Sequence, residues 1–257
     1  MKTIVIIPTY NERDNIRDIV AAIRQEVTRY SLDILVVDSA SPDKTADAVN
    51  EMKKNDNGIY LYSQSAKLGL GKAYLDGMDW ALEHNYECII TMDADFSHHP
   101  KYLNFFFEKI KTHDLVIGSR YVPGGDLKNW PWARRVLSRF ANWYASLIMG
   151  LPFSDLTSGF HCFRAELLRK VLRYKIHSEG YAFLMEMKSL SLLQGARYEE
   201  IPIIFNDRTK GDSKISKRVI FESASFVLKR AGQRNRFKKI TAQASTSDVK
   251  KQQNVLV

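Results

Sequence analysis

A chain of 257 residues, 45% hydrophobic and 26% charged, has room for one sizeable α/β core and is too apolar to be a disordered tail. Its apolar runs all fall short of a membrane-spanning helix, and the first is cut at Pro8, so neither a transmembrane segment nor a signal peptide is expected. The net charge of +9 is concentrated: nine Lys and Arg stand between Ser213 and Ser247 against Glu222 alone, which points that segment at an anionic surface.

In chain order, Thr3–Ile7 is a β-branched run stopped by Pro8 and predicts a buried first strand. Asn11 is placed to cap a helix on Ile16, Ile19, Val20, Ile23 and Val27. Asp33–Asp38 is a second strand that enters the polar loop Ser39–Lys44, and a helix starts at Thr45. Ile59–Tyr62 is a third strand, and Gly69-Leu70-Gly71-Lys72 opens another helix. These glycines match neither phosphate loop: the dinucleotide fingerprint lacks its third glycine, and Ala66 and Ala73 break the Walker pattern. Cys88 and Cys162 have no metal spacing and read as free buried thiols of a reducing compartment, so a cytoplasmic protein is expected.

Glu87–Thr91 is the fourth strand, and Met92-Asp93-Ala94-Asp95 follows it before Pro100 blocks further pairing. Two carboxylates one residue apart repel and, taken alone, are most often a solvated acidic turn. A hard divalent cation reverses that balance, because Mg²⁺ takes one or two carboxylates together with substrate phosphates. The adjacent His98 and His99 are poor ligand candidates, since neighbouring side chains rarely converge on one ion.

Asp114–Gly118 is a further strand leading to Ser119-Arg120-Tyr121. Arg134–Ile148 is an amphipathic helix on which Arg134 and Ser138 stand one turn apart and can face one ligand. Helices are expected over Ala165–Leu172 and from Gly180, then a last strand over Ala196–Phe205. The loop from Asn206 to Lys214 combines a glycine with Arg208, Lys210 and Lys214, a set able to fold over phosphates. Short strands alternating with helices predict a mostly parallel sheet covered on both faces. Ligands bind such sheets beyond the carboxyl ends of the strands, where Pro8-Thr9-Tyr10, Asp38-Ser39 and Asp93-Ala94-Asp95 all fall. The expected organisation is a catalytic domain over 1–212, a basic amphipathic segment over 213–240 and a disordered tail over 241–257.

Several short stretches occur together in order. They are Ile7-Pro8-Thr9-Tyr10-Asn11-Glu12, Val36-Val37-Asp38 with Ser41-Pro42-Asp43, Leu68-Gly69-Leu70-Gly71 and Met92-Asp93-Ala94-Asp95. Later come Gly118-Ser119-Arg120-Tyr121, Ser138-Arg139 with Ala141-Asn142, Asp155–Phe160, and Asp207-Arg208 with Gly211 and Ser213-Lys214. Over about residues 3–215 this set resembles the family 2 glycosyltransferases of GT-A type, and specifically the dolichol-phosphate (polyprenol-phosphate) mannose synthase branch.

The resemblance implies that Pro8, Tyr10, Glu12, Val37, Asp38 and Ser39 hold a nucleoside. It implies that Asp93 and Asp95, with Ala94 between them, bind Mg²⁺ or Mn²⁺ and the donor diphosphate, over which Arg208 and Lys214 close. Arg134 and Ser138 would grip an acceptor phosphate, and Arg120 would lie near the transferred sugar. Three positions depart from the family pattern: Ser39 replaces a second Asp, His161 an Arg and Leu184 a Gln.

The implied reaction is inverting transfer from a nucleoside-diphosphate sugar, GDP-mannose by family default, to a polyprenyl phosphate. A phosphate acceptor is ionised at neutral pH and needs no strong base. Two other readings stand beside it: transfer to a sugar or other hydroxyl, and a non-catalytic sugar-nucleotide-binding subunit. Gln233-Arg234-Asn235-Arg236-Phe237 echoes a motif of hydroxyl-directed relatives, but lies in the basic tail. Aromatics there are limited to Phe221, Phe226 and Phe237, which argues against a nucleic-acid partner. Peripheral attachment to the cytoplasmic face of a membrane, through helix 134–148 and segment 215–240, is the expected location.

Overall fold

The computed structural model describes residues 1–206 and 217–233. The apolar runs become the centre of one sheet. Strands β1 (Thr3–Thr9), β2 (Leu32–Asp38), β3 (Ile59–Ser63) and β4 (Cys88–Thr91) pair in parallel, with β1 between β2 and β4. Side chains alternate between two cores. Ile4, Ile6, Leu35 and Val37 point to one side, and Val5, Ile7, Ile34 and Val36 to the other.

The first core is roofed by α3 (Leu70–Glu83), α6 (Ala165–Val171) and α7 (Gly180–Leu193). The second is roofed by α1 (Arg13–Glu26), α2 (Thr45–Lys53) and α4 (Leu103–Lys109). Every residue from Ala182 to Leu192 is buried, as expected of a helix packed on all sides. The mostly parallel, doubly covered sheet of the sequence reading is therefore present.

Several local expectations change. β1 runs through Pro8 because β4 accompanies it only as far as the Ile6–Thr91 pair, leaving one neighbour where the proline lacks its N–H. Asn11 does not cap α1; it takes a left-handed φ of 57°. The loop after β2 does the capping instead. Ser41 Oγ, Thr45 Oγ1 and Asp43 Oδ2 accept the N–H groups of Asn11, Glu12 and Arg13 at 3.0, 3.1 and 3.0 Å.

Between β4 and β5 (Leu115–Ser119) the chain inserts a short strand that the sequence did not announce. This strand, β7 (His161–Arg164), lies antiparallel to both and follows the short β6 (Asp126–Lys128) in the chain. The last expected strand divides at Ile203 into β8 (Tyr198–Pro202), which completes the order β3-β2-β1-β4-β7-β5-β8, and β9 (Ile204–Asn206), which pairs with β6. Cys88 and Cys162 are free and buried, with their sulfurs 3.0 Å apart.

Helix α5 (Trp132–Met149) buries Asn142, Ala145 and Met149. Its large apolar side chains face outward: Trp132 is 76% exposed, Leu137 68%, Trp143 58% and Phe140 55%. Beside it runs α8 (Lys217–Arg230), whose Arg230 is paired with Glu186 of α7. No helix among the described residues is long and apolar enough to cross a membrane.

Candidate active site

From β1 the chain winds outward to β3 and then returns to place β4 on the other side of β1, which leaves a crevice at the carboxyl ends of these strands. A cavity of about 440 Å³ opens there. Its wall carries Pro8, Tyr10, Glu12, Ser39, Asp93, Ala94, Asp95, Arg120 and Arg134, nine of the residues singled out in the sequence. Val37 is buried beneath α3, Asp38 and Ser138 lie behind the wall, and Arg208 and Lys214 fall outside the described residues.

The acidic turn is tightly built. Met92 N–H still reaches Ile6 O at 3.1 Å, so Asp93 emerges just as the pairing to β1 ends. Tyr74 donates its hydroxyl to Asp93 Oδ1 at 3.0 Å, and Ser97 N–H donates to Asp95 Oδ1 at 3.1 Å. Phe96 takes a left-handed φ of 62°, a conformation that costs a bulky residue about 1–3 kcal/mol and is found where the surroundings impose it. His98 Nδ1 accepts the Asp93 N–H at 3.2 Å. Burial lowers the His98 pKa more than Asp93 raises it, so the imidazole is neutral at pH 7.

Among the described residues no group of three or more His, Cys, Asp or Glu could hold an ion by itself. The set fits a cation that draws its other ligands from a substrate: two carboxylates on one wall, and beside them the Ser97 Oγ, buried with no hydrogen-bond partner.

On the β2 side, Asp38 is occupied internally. Its carboxylate accepts the hydroxyls of Thr9 and Ser41 at 2.9 and 2.5 Å and the Ser41 N–H at 3.0 Å, so it shapes the loop instead of facing the cavity. Ser39 does reach the wall. Its hydroxyl donates to Gln64 Oε1 at 2.7 Å, and Gln64 Nε2 donates to Asp76 Oδ2 at 2.7 Å. The Lys67 ammonium sits 3.7 Å above the Tyr10 ring. Gly69, with φ 96°, has no room for a side chain: a Cβ would lie 2.3 Å from Glu179 Oε2, which lets that carboxylate reach the cavity.

The lining also carries cations. Arg120 is buried and held by both oxygens of Asp155, with a third bond to Thr157 Oγ1 at 2.7 Å. Burial raises the Asp155 pKa, but Arg120 lowers it further, so the pair stays ionised. Lys188, brought to about 7 by burial, donates to the carbonyls of Leu156 and Ser158 at 3.0 and 2.8 Å and pins the loop that carries Asp155. The Arg134 guanidinium lies 3.6 Å above the Trp130 ring, whereas Ser138 Oγ is bonded to Tyr121 Oη at 2.7 Å.

Sequence reading missed Trp130, Phe205, Ser97, Glu179 and Tyr181, all on the wall. Only Ser97, two residues past Asp95, carried a usable signal. Trp130 lies two residues past β6 and Phe205 is the middle residue of β9, strands too short for any periodicity.

The family model described as Glycosyl transferase family 2 matches residues 4–172. The chain belongs to glycosyl transferase family 2. This glycosyltransferase is 40% identical over 224 residues to the polyprenol monophosphomannose synthase of Mycolicibacterium smegmatis, covering 86% of its own length and 84% of the relative's. It is 39% identical over 223 residues to the undecaprenyl-phosphate mannosyltransferase of Micrococcus luteus, covering 87% and 91%. The fold is the GT-A-like α/β fold. Glucosyl-3-phosphoglycerate synthase from Mycobacterium tuberculosis, solved with Mn²⁺, uridine diphosphate and phosphoglyceric acid, superposes with a TM-score of 0.64 at 17% identity, over 90% of this chain and 79% of that one.

Proposed function

We propose that the protein transfers mannose from a nucleoside-diphosphate sugar, GDP-mannose by family default, to a polyprenyl phosphate. The observation that carries this reading is that one cavity is lined both by Asp93 and Asp95 and by Arg120 and Arg134. An acidic wall that needs a cation suits the donor diphosphate, and a guanidinium wall suits a second phosphate. The names of the two relatives near 40% identity support the same substrate pair.

Asp93 and Asp95 would hold Mg²⁺ or Mn²⁺, which supplies charge neutralisation to the leaving diphosphate. The chain's own residues do the rest. Pro8, Tyr10, Glu12 and Ser39 border the nucleoside side, with Val37 and Asp38 supporting them from behind. Arg120, fixed by Asp155, presents positive charge where the sugar and phosphates meet. Arg134 receives the acceptor phosphate near the start of α5, with Ser138 one turn on. Arg208 and Lys214 would close over the diphosphate.

Peripheral binding to the cytoplasmic face of a membrane belongs to the same reading. The outward apolar face of α5 is mixed with Arg135 and Arg139, a combination suited to an anionic bilayer surface, and the basic segment 213–240 follows.

The test is a panel of nucleotide sugars offered with a short polyprenyl phosphate, scored by product mass. A mannosyl phospholipid formed only with a divalent cation present is expected. Transfer to soluble sugars but never to a polyprenyl phosphate would replace this reading with a hydroxyl-directed transferase.

A further inference from the structure

Trp130 lines the cavity, and its indole nitrogen is buried with no hydrogen-bond partner among the described residues. A buried donor in a native site is normally satisfied, so an orphaned N–H on a residue that lines a cavity points to an acceptor atom that arrives with a ligand. The indole is not free to turn elsewhere. Phe205 packs edge-on against it at 6.0 Å, and Arg134 covers its face. Asn129, in the left-handed region at φ 63°, precedes it directly, and Pro131 follows as the residue that caps α5.

The β6–β9 ribbon thus delivers two rings that stand side by side and carry the two cavity arginines. Arg120 lies 5.4 Å from the Phe205 centroid and Arg134 lies 3.6 Å from that of Trp130. The ring-and-arginine cluster itself offers only donors: an indole N–H, which cannot accept, and guanidinium N–H groups, which cannot accept either. A hydroxyl would bring a proton that these groups cannot receive. An ionised phosphate brings only acceptor oxygens.

We propose that Trp130 is a binding residue for the acceptor phosphate, donating Nε1–H to a phosphate oxygen while its ring holds Arg134 in place. This rests on the phosphate-acceptor reading above. It assigns to a neutral indole the contact that the sequence would give to Ser138, whose hydroxyl is bonded to Tyr121 behind the wall.

Two measurements test it. In Trp130→Phe the ring and its stack remain but the N–H is lost. The KM for a short polyprenyl phosphate should rise about tenfold, as expected for one hydrogen bond to a charged oxygen, with the donor KM within twofold of wild type. In the wild-type protein, ¹⁵N-indole spectra resolve the four tryptophans, and the signal absent from Trp130→Phe identifies Trp130. That signal should move downfield on adding the polyprenyl phosphate and stay in place on adding nucleoside diphosphate with Mg²⁺.

An unchanged acceptor KM in Trp130→Phe, or an indole signal that moves with the nucleotide alone, overturns the proposal while leaving the transferase reading standing. A wild-type protein that glycosylates only hydroxyl acceptors overturns both. Should Trp130→Phe fail to fold, Trp130→Tyr supplies the variant for assignment, and the wild-type spectrum still decides.

Discussion

Arg120 and Asp155 meet through two side-chain hydrogen bonds, Nε to Oδ2 at 2.7 Å and Nη2 to Oδ1 at 2.6 Å, in a pair shielded from water on nearly every side. The cavity charge of Arg120 is therefore aimed by a partner that does not itself line the wall. Replacing that partner leaves a guanidinium buried and uncompensated. Asp155→Ala should lose about 3–5 kcal/mol of folding stability, read as a fall in the urea midpoint, in addition to any loss of turnover. A midpoint unchanged from wild type would show that Arg120 is neutralised by another group.

Asp95 is almost fully buried while Asp93 is the more open of the two. Asp95→Ala removes a charge from the acidic wall without disturbing β4. It should reduce kcat/KM on the order of a hundredfold or more, and chelation should do the same to the wild type. Turnover that survives both treatments would exclude a cation at this turn.

Ser39 closes a chain of contacts through Gln64 to Asp76 at the end of β2. Ser39→Asp places a third carboxylate among Asp38 and Asp76, where like charges repel. The donor KM should rise severalfold while the acceptor KM stays level, and a nucleotide panel should show a changed order of bases. An equal effect on both substrates would remove Ser39 from donor recognition.

Phe140 and Trp143 pack against each other on the outer face of α5 and touch no core. Phe140→Glu with Trp143→Glu should leave the thermal midpoint close to wild type, since neither side chain is buried. Pelleting with vesicles containing anionic phospholipid should fall at least tenfold, because each apolar side chain kept out of the bilayer forfeits about 1.5–3 kcal/mol. Undiminished pelleting would move the membrane contact to another surface.

His98 and His161 are buried, and burial holds both imidazoles below the ordinary value of 6.5, His161 far below it. The unfolded chain takes up protons on them near pH 6.5, while the folded chain does so only at lower pH. Their contribution is complete above that pH and is lost as the pH falls toward the folded values. Asp155, held below its ordinary 3.8 by Arg120 against the upward push of burial, adds a second loss in stronger acid. The urea midpoint should drop between pH 7.5 and pH 5.5, and His161→Leu should make that drop smaller. An equal drop in the variant would place the acid sensitivity elsewhere.

Strands β1, β2 and β4 and the position of the acidic turn were legible because three or four consecutive buried apolar residues leave a signal of their own. The cavity wall was legible wherever a site residue stood at such a strand's end. β7 was not, since four residues shared between a buried glycine loop and a helix have no period to detect. α5 was legible only in part: its apolar rows were visible, but periodicity reports that a face exists, not whether the fold or the solvent receives it. Trp130 and Phe205 owe their meeting to a pairing across nearly eighty positions, which no local pattern encodes.

The antiparallel entry of β7 has a consequence for how the chain is made. β4 is fully buried, and one of its edges is covered by β7, which lies beyond α5 in the chain. During synthesis that apolar edge stays open while residues 92–160 emerge, and an open hydrophobic edge is a template for pairing with other chains. A nascent protein stopped before His161 would carry an unsealed seam through its middle, so the ribosome exposes the greatest aggregation hazard well before the last strand is complete.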